Sequence, residues 1–242
     1  MLYGIIADIH ANLEAFEAVL ANLSAVDQIV CAGDIVGYGP DPGECIALVQ
    51  EKRIVCVAGN HDKAAIGELD MQWFNPNARQ VIEWTETQLN ENDREYLKAL
   101  PLRLEFEEFE IVHGSLRNNL EEYIYSREEA AASIELMQKP LCFVGHTHQP
   151  LYFGLKPSES YDGRRIGKSD QVFVENYSKT IINPGSIGQP RDGDFRASFG
   201  IYDSEKKEFT LQRVEYNILA VQEKMKACGL PAQLIERLAI GK

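Results

Sequence analysis

Five short apolar runs in this 242-residue chain each end in a polar tip, and that repetition restricts the fold more than any other feature. Residues 2–6 lead into Ala7-Asp8-Ile9-His10, and residues 29–32 into Gly33-Asp34-Ile35-Val36-Gly37-Tyr38-Gly39. Residues 54–57 end in Gly59-Asn60-His61-Asp62, residues 110–112 in His113-Gly114, and residues 141–144 in Gly145-His146-Thr147-His148. Apolar runs of this length, closed by glycine and polar residues, read as buried strands. In α/β sheets, ligands and catalytic groups gather at the carboxyl ends of strands, so five such tips predict one convergent site. The chain has five histidines, and all of them lie on these tips. Histidines placed for packing would be scattered over the other segments, so the distribution itself points to a metal site. The donors are carboxylate, imidazole and amide without thiolate, a set that suits Mn, Fe, Ni or Zn in five- or six-coordinate sites better than a structural zinc.

The ordered series Asp8-x-His10, Gly33-Asp34, Gly59-Asn60-His61-Asp62, His113-Gly114 and Gly145-His146-Thr147-His148 resembles the calcineurin-like metallophosphoesterase superfamily, and within it the small bacterial phosphodiesterase branch. Each motif is weak alone; the set, spanning residues 8 to 148, is specific. The stretch Asn183-Pro184-Gly185-Ser186-Ile187-Gly188-Gln189-Pro190-Arg191-Asp192-Gly193 is similar to that branch as well. The resemblance implies two divalent metal ions: Asp8, His10, Asp34 and His148 on one, and Asp34, Asn60, His113 and His146 on the other, with Asp34 bridging. It further implies hydrolysis of a phosphoester by a water activated between the ions, with His61 protonating or steadying the leaving oxygen. Asp62, the next residue, is placed to orient His61. Asn12 and Arg191 are candidate phosphate contacts; Asn12 equally suits a helix N-cap and Arg191 a solvated loop charge.

Departures from the family pattern narrow the substrate. Protein serine/threonine phosphatases of the superfamily continue the second motif as Gly-Asp-x-Val-Asp-Arg-Gly, whereas here Gly37 and Tyr38 stand where that Asp and Arg would be. Asp62 stands where those phosphatases have Glu, and Ala11 replaces a glycine usual after the first histidine. The expected activity is therefore a phosphodiesterase acting on a small phosphodiester or nucleotide. The alternatives are a dinucleoside polyphosphate hydrolase, a phosphoprotein phosphatase, or a protein-interaction scaffold of the kind the superfamily's retromer subunit provides.

Length leaves one or two domains open. With 45% hydrophobic and 25% charged residues the composition is that of an ordinary globular chain. A formal net charge of −13 argues against non-specific nucleic-acid binding. No apolar run approaches the roughly 20 residues of a membrane span. The N-terminus has no basic region and enters the first motif directly, so it reads as a core strand, and the expected location is cytoplasmic. The five scattered cysteines read as buried reduced thiols.

The intervening segments complete the pattern. Helical spacing of Leu13, Phe16, Val19, Leu20 and Leu23 predicts an amphipathic helix over 12–22, and Asp41-Pro42-Gly43-Glu44 predicts an N-capped helix over 42–51. Residues 63–100 read as helical, with a helix beginning at Asn75-Pro76, and Ser126-x-x-Glu129 opens another. Beyond Pro150 the runs 151–155, 172–175, 179–182, 197–202 and 208–214 predict a more antiparallel second sheet, with 203–207 as a hairpin connection. Residues 156–170, polar and aperiodic, are expected to form a mobile loop. The reading is a single α/β domain, 1–242, ending in a helical tail over 217–240. The resemblance makes it a four-layer α/β/β/α sandwich with two mixed sheets.

Overall fold

The computed structural model describes residues 1–72 and 74–242. In chain order the elements are β1 (Leu2–Ile6), α1 (Leu13–Asn22), β2 (Gln28–Cys31), α2 (Pro42–Glu51), β3 (Val55–Cys56), α3 (Asn60–Ala64), α4 (Pro76–Gln88), α5 (Glu91–Ala99), β4 (Arg103–Glu105), β5 (Phe109–Val112) and α6 (Arg127–Glu135). They continue with β6 (Leu141–Phe143), β7 (Pro150–Leu155), β8 (Tyr161–Arg165), β9 (Gln171–Phe173), β10 (Lys179–Pro184), β11 (Ala197–Asp203), β12 (Glu208–Val214), α7 (Ile218–Ala227) and α8 (Ala232–Arg237). Two six-stranded sheets result, ordered β3-β2-β1-β11-β12-β9 and β4-β5-β6-β10-β7-β8.

Side chains alternate across a strand, so each strand feeds two layers. Ile5, Val30, Ile111 and Ile182 point between the sheets and meet Phe109, Phe143, Tyr202 and Phe209 there. Their neighbours Ile6 and Cys31 face Phe16, Val19, Ile46 and Val49 of α1 and α2. Val112 and Ile181 face Ala130 and Ile134 of α6 on the opposite side. Helices thus cover the outer face of each sheet, and the architecture is the expected α/β/β/α sandwich.

Within each mixed sheet three strands are mutually parallel: β1, β2 and β3 in one, β5, β6 and β10 in the other. The loops that leave these six strands carry every candidate site residue, which is why a 242-residue chain converges on one edge of the sandwich.

Four expectations fail. The strands beyond Pro150 do not form a second sheet of their own: β9, β11 and β12 extend the sheet of β1–β3, and β7, β8 and β10 extend that of β4–β6. Residues 156–170 are not a loop: β8 pairs antiparallel with β7 from Leu151↔Arg165 to Leu155↔Tyr161, and Ile166 is buried. The strand is an outer edge whose residues are largely exposed, so it lacks the apolar alternation that marks a covered strand. The helical run before Pro101 is broken at Asn90, whose side chain accepts from Asp93 N and starts α5. Asp41 precedes α2 but does not cap it through its side chain; its carboxylate takes the Lys224 ammonium at 2.9 and 3.1 Å instead.

Candidate metal centre

The chain turns out of β1, β2 and β6 through left-handed backbone. Asp8, His10, Ala11, Asp34, Tyr38, His146 and His148 all have φ between 49° and 67°, seven of the eleven described non-glycine residues with positive φ. Extended alternation is therefore not what brings Asp8 to His10 or His146 to His148; tight left-handed turns do it. Each such residue costs about 1–2 kcal/mol, and strain of this kind persists only where surroundings over-determine it. Cross-loop bonds supply that constraint: His10 N to Asp34 O at 3.0 Å, Ala11 N to Ile35 O at 2.9 Å and Gly39 N to His10 O at 3.0 Å. Ala11 occupies a conformation that glycine accepts without strain, consistent with the glycine of the family pattern.

Asp62 has a different task from the one its position suggested. Its side chain does not reach the His61 ring. One carboxylate oxygen accepts from Ile35 N (2.8 Å) and Val36 N (3.0 Å), the other from Asp34 N (2.9 Å) and Gly59 N (2.9 Å). Four backbone donors from two loops thus close on one fully buried carboxylate. At Gly59 any Cβ would overlap the Asp34 carboxylate, so only glycine lets the two loops come this close.

Backbone carbonyls fix the tautomers of the four histidines around Asp34. Nδ1 of His10, His113 and His148 lies 3.1, 2.8 and 2.7 Å from the carbonyl oxygens of Val36, Ala32 and Gln189, and Nε2 of His146 lies 3.2 Å from that of Glu121. A carbonyl only accepts, so each of these nitrogens carries the N–H, and the opposite nitrogen of each ring presents a lone pair. Those lone pairs face one another: His10 Nε2 is 3.0 Å from His148 Nε2, and His113 Nε2 is 3.1 Å from His146 Nδ1. Asn60 Oδ1, a further acceptor, is 3.0 Å from His113 Nε2. Oδ2 of Asp34 lies 3.5 Å from His10 Nε2 and 3.3 Å from His113 Nε2, so it touches both groups. The Oδ2 atoms of Asp8 and Asp34 are buried with no partner.

Acceptors facing acceptors in a buried space are unfavourable unless a cation or proton lies between them. Donor atoms of Asp8, His10, Asp34 and His148 lie within 4.8 Å of one another, and so do those of Asp34, His113 and His146. The residues present therefore fit two divalent ions sharing Asp34. Protons are the competitor. Burial works to lower His113, but the charge of Asp34 and its hydrogen bond outweigh it and raise the ring to about 9. Burial raises Asp8 to about 7, with His113 opposing and Asp34 reinforcing. Burial drives His10, His146 and His148 well below the usual imidazole value.

The profile of the calcineurin-like phosphoesterase superfamily domain matches residues 1–207. The chain belongs to this superfamily. Within it, the chain is similar to a metallophosphoesterase of Sphaerobacter thermophilus, at 44% identity and a TM-score of 0.90 with 100% of this chain and 99% of that one covered. An uncharacterised protein of Methanocaldococcus jannaschii is 33% identical over 248 residues, covering 100% of this chain and 98% of the relative. A hypothetical protein of Pyrococcus horikoshii shares the fold at a TM-score of 0.83 and 20% identity, over 100% of this chain and 98% of that one.

The position at which the superfamily's protein phosphatases carry an Asp is sealed here. Gly37 has φ +88°, and a Cβ on it would overlap the His61 ring at Nδ1, which is itself buried without a partner. Tyr38 fills the position of the Arg and packs its ring 4.7 Å from His10 and 4.5 Å from His61. A guanidinium arrives from elsewhere in the chain: Arg191 lies 5.4 Å over the Tyr38 ring, its Nη2 donates to Gln189 Oε1 at 2.9 Å, and its Nε is buried without a partner. Asn12 caps α1 through Ala15 N (3.1 Å) and donates to Gly188 O (3.0 Å), so both ends of its amide serve the fold. The 183–193 segment returns to the first motif through Ser186 Oγ to Asp8 O (2.9 Å) and Gly188 N to Asp8 O (2.9 Å). The sequence marks Ser186 and Gln189 only as members of the 183–193 stretch, without their bonds, and does not disclose the clamp role of Asp62. Only the spacing of Asp62 three residues after Gly59, at the start of a helix, signals a bond back to backbone N–H.

Proposed function

We propose that the chain is a dinuclear phosphodiesterase acting on a small phosphodiester or nucleotide. Asp8, His10, Asp34 and His148 would hold one ion, and Asp34, Asn60, His113 and His146 the other. Two divalent ions there would supply the Lewis acidity that activates water and polarises the phosphoryl oxygens. Burial pushes His61 down to about 4, with Asp34 opposing, so near neutral pH it is an uncharged imidazole. In that form it has no acidic proton to transfer, and its ring N–H steadies the leaving oxygen by a hydrogen bond as the P–O bond breaks. Arg191 stands beside the same rings as the cation for a non-bridging phosphoryl oxygen.

The observation that favours a diester is the cleft beside His61. It is lined by Tyr38, Asn60, His61, Phe74, Asn75, Ala78, Glu121, Tyr123 and His146, with a volume of about 110 Å³. No lysine or arginine is among them, and Glu121 brings a negative charge. A group extending into this space is an esterified organic substituent; a second phosphate would find no countercharge. The test is hydrolysis of bis-p-nitrophenyl phosphate with Mn²⁺, compared with p-nitrophenyl phosphate, an EDTA control and the Asp34→Asn variant. Diester turnover that exceeds monoester turnover and that EDTA and the variant abolish is expected. A folded, metal-loaded protein that hydrolyses only the monoester, or neither, refutes the reading.

A further inference from the structure

Among the left-handed residues at the strand ends, Tyr38 alone is neither a proposed ligand nor small. It is buried at φ 60°, a conformation that a bulky side chain keeps only where its surroundings compel it. Two sets of neighbours do so. Its ring meets those of His10 and His61 and the guanidinium of Arg191. It also joins an apolar cluster with Val221 and Met225 of α7, Leu234 and Ile235 of α8, and Leu238. Val221, Met225 and Leu238 line a narrow gap against Tyr38 itself. The family profile ends at residue 207, so the helices that grip this ring lie beyond the part it matches.

Arg191 is the group that this arrangement leaves ready for use. The carboxylates nearest to it in the chain, Asp192 and Asp194, are taken by Arg213 and Arg196. Its backbone is fixed: Arg191 N donates to His148 O at 3.1 Å, and two residues on Gly193 N donates to Gly241 O at 2.9 Å. Among the described residues its guanidinium is held by the neutral Gln189 Oε1 at 2.9 Å and by the Tyr38 ring at 5.4 Å, while Nε is buried without a partner. A carboxylate in that place would neutralise the cation, whereas an aromatic face orients it and leaves its charge for an incoming anion. We infer that Tyr38 is a positioning residue: backed by the C-terminal helices, its ring holds the Arg191 guanidinium in place for a phosphoryl oxygen. The inference rests on the reading of Arg191 as a phosphate contact, and it brings α7 and α8, which supply no proposed ligand, into the working of the site.

The test is a double-mutant cycle read by calorimetric titration of the Mn²⁺-loaded protein with inorganic phosphate. Tyr38→Leu keeps apolar volume but removes the aromatic face, so phosphate binding should weaken about 10- to 30-fold, the worth of a desolvated cation–π contact, with Mn²⁺ affinity within about 2-fold of the parent. Tyr38→Phe, which keeps the face, should bind phosphate within about 2-fold of the parent. In an Arg191→Met background Tyr38→Leu should weaken phosphate binding by less than about 2-fold more, because the group it positions is gone; a tyrosine that only supports the fold would give losses that multiply. Leu238→Ala repeats the cycle from behind the ring, at a residue remote from every proposed ligand, and keeps the test open should Tyr38→Leu fail to fold. Losses that multiply, a Tyr38→Phe protein as weak as Tyr38→Leu, or no phosphate binding by the parent would overturn the inference. Phosphate affinity that follows the cycle without bis-p-nitrophenyl phosphate turnover would fault the diesterase reading alone, and turnover with phosphate affinity indifferent to Tyr38 would fault the positioning role alone.

Discussion

Replacing Asp62 by Asn separates its role as a backbone clamp from any role in catalysis. The substitution keeps the shape of a fully buried side chain that accepts from Asp34, Ile35, Val36 and Gly59 N–H groups, two on each oxygen. Whichever way the new amide is turned, its oxygen serves one pair of donors and its NH₂ confronts the other pair. Two buried N–H groups are then unsatisfied, at about 1–3 kcal/mol each, so the expected loss is about 4 kcal/mol. For a chain of this size 1 kcal/mol moves Tm by about 2–4 °C, which gives a fall of about 8–16 °C by scanning calorimetry. The Asp34 turn, at φ 56°, is held by this clamp, so Mn²⁺ affinity should fall with it even though no proposed ligand is altered. A variant that melts within about 2 °C of the parent and binds Mn²⁺ normally would show that the four bonds do not hold the two loops.

Two further outcomes follow from the same geometry. In metal-free protein, His113 raised to about 9 contributes stability that is complete below about 6.5 and lost as pH rises through 9. Asp8 raised to about 7 works in the same direction, because its buried charge is borne only above that value. His10, His61, His146 and His148, held below the usual imidazole value, are neutral folded and unfolded above about pH 7.5. The melting temperature of the chelated protein should therefore fall from about pH 7.5 to about pH 9, while the Mn²⁺-loaded protein, whose ions replace those protons, should hold or rise; parallel curves would refute the assignment of the site to cations. Gly37→Ala forces a Cβ into the His61 ring at a backbone φ of +88°. Displacing His61 by about 1 Å should cost about 100-fold in kcat for bis-p-nitrophenyl phosphate with little change in Mn²⁺ affinity measured by calorimetry; an unchanged kcat would remove His61 from the reaction.

The sequence made the site's composition legible and left its geometry hidden, for a physical reason. Asp8, His10, Asp34, Asn60, His113, His146 and His148 stand at the ends of apolar runs, and strand order alone decides that such ends meet. What joins them is not local. The bonds from Asp62 reach back to residues 34–36, and those from Ser186 and Gly188 reach back to Asp8. No window of sequence contains both partners of such a bond, so Asp62 read as a neighbour of His61 when it is a neighbour of Asp34. The 161–165 strand is hidden in the sequence because an outer edge needs no apolar alternation, whereas the break at Asn90 does carry a signal, the Asn90-x-x-Asp93 capping box.

The left-handed residues tie these observations together. An extended chain would carry alternate side chains past the site, whereas positive φ at Asp8, His10, Asp34, His146 and His148 curls each loop so that its side chains point back over the strand ends. That curl is costly, and the cross-loop hydrogen bonds and the Asp62 clamp offset the cost before any ion is bound. The carbonyls of Ala32, Val36, Glu121 and Gln189 orient the imidazoles at the same time. The protein thus bears the expense of arranging facing lone pairs during folding, and divalent ions can bind to a site already shaped for them. The same logic extends outward to the cleft, where Ile124 is fixed in the core so that Tyr123 can lie flat against His146 at the metal centre's edge.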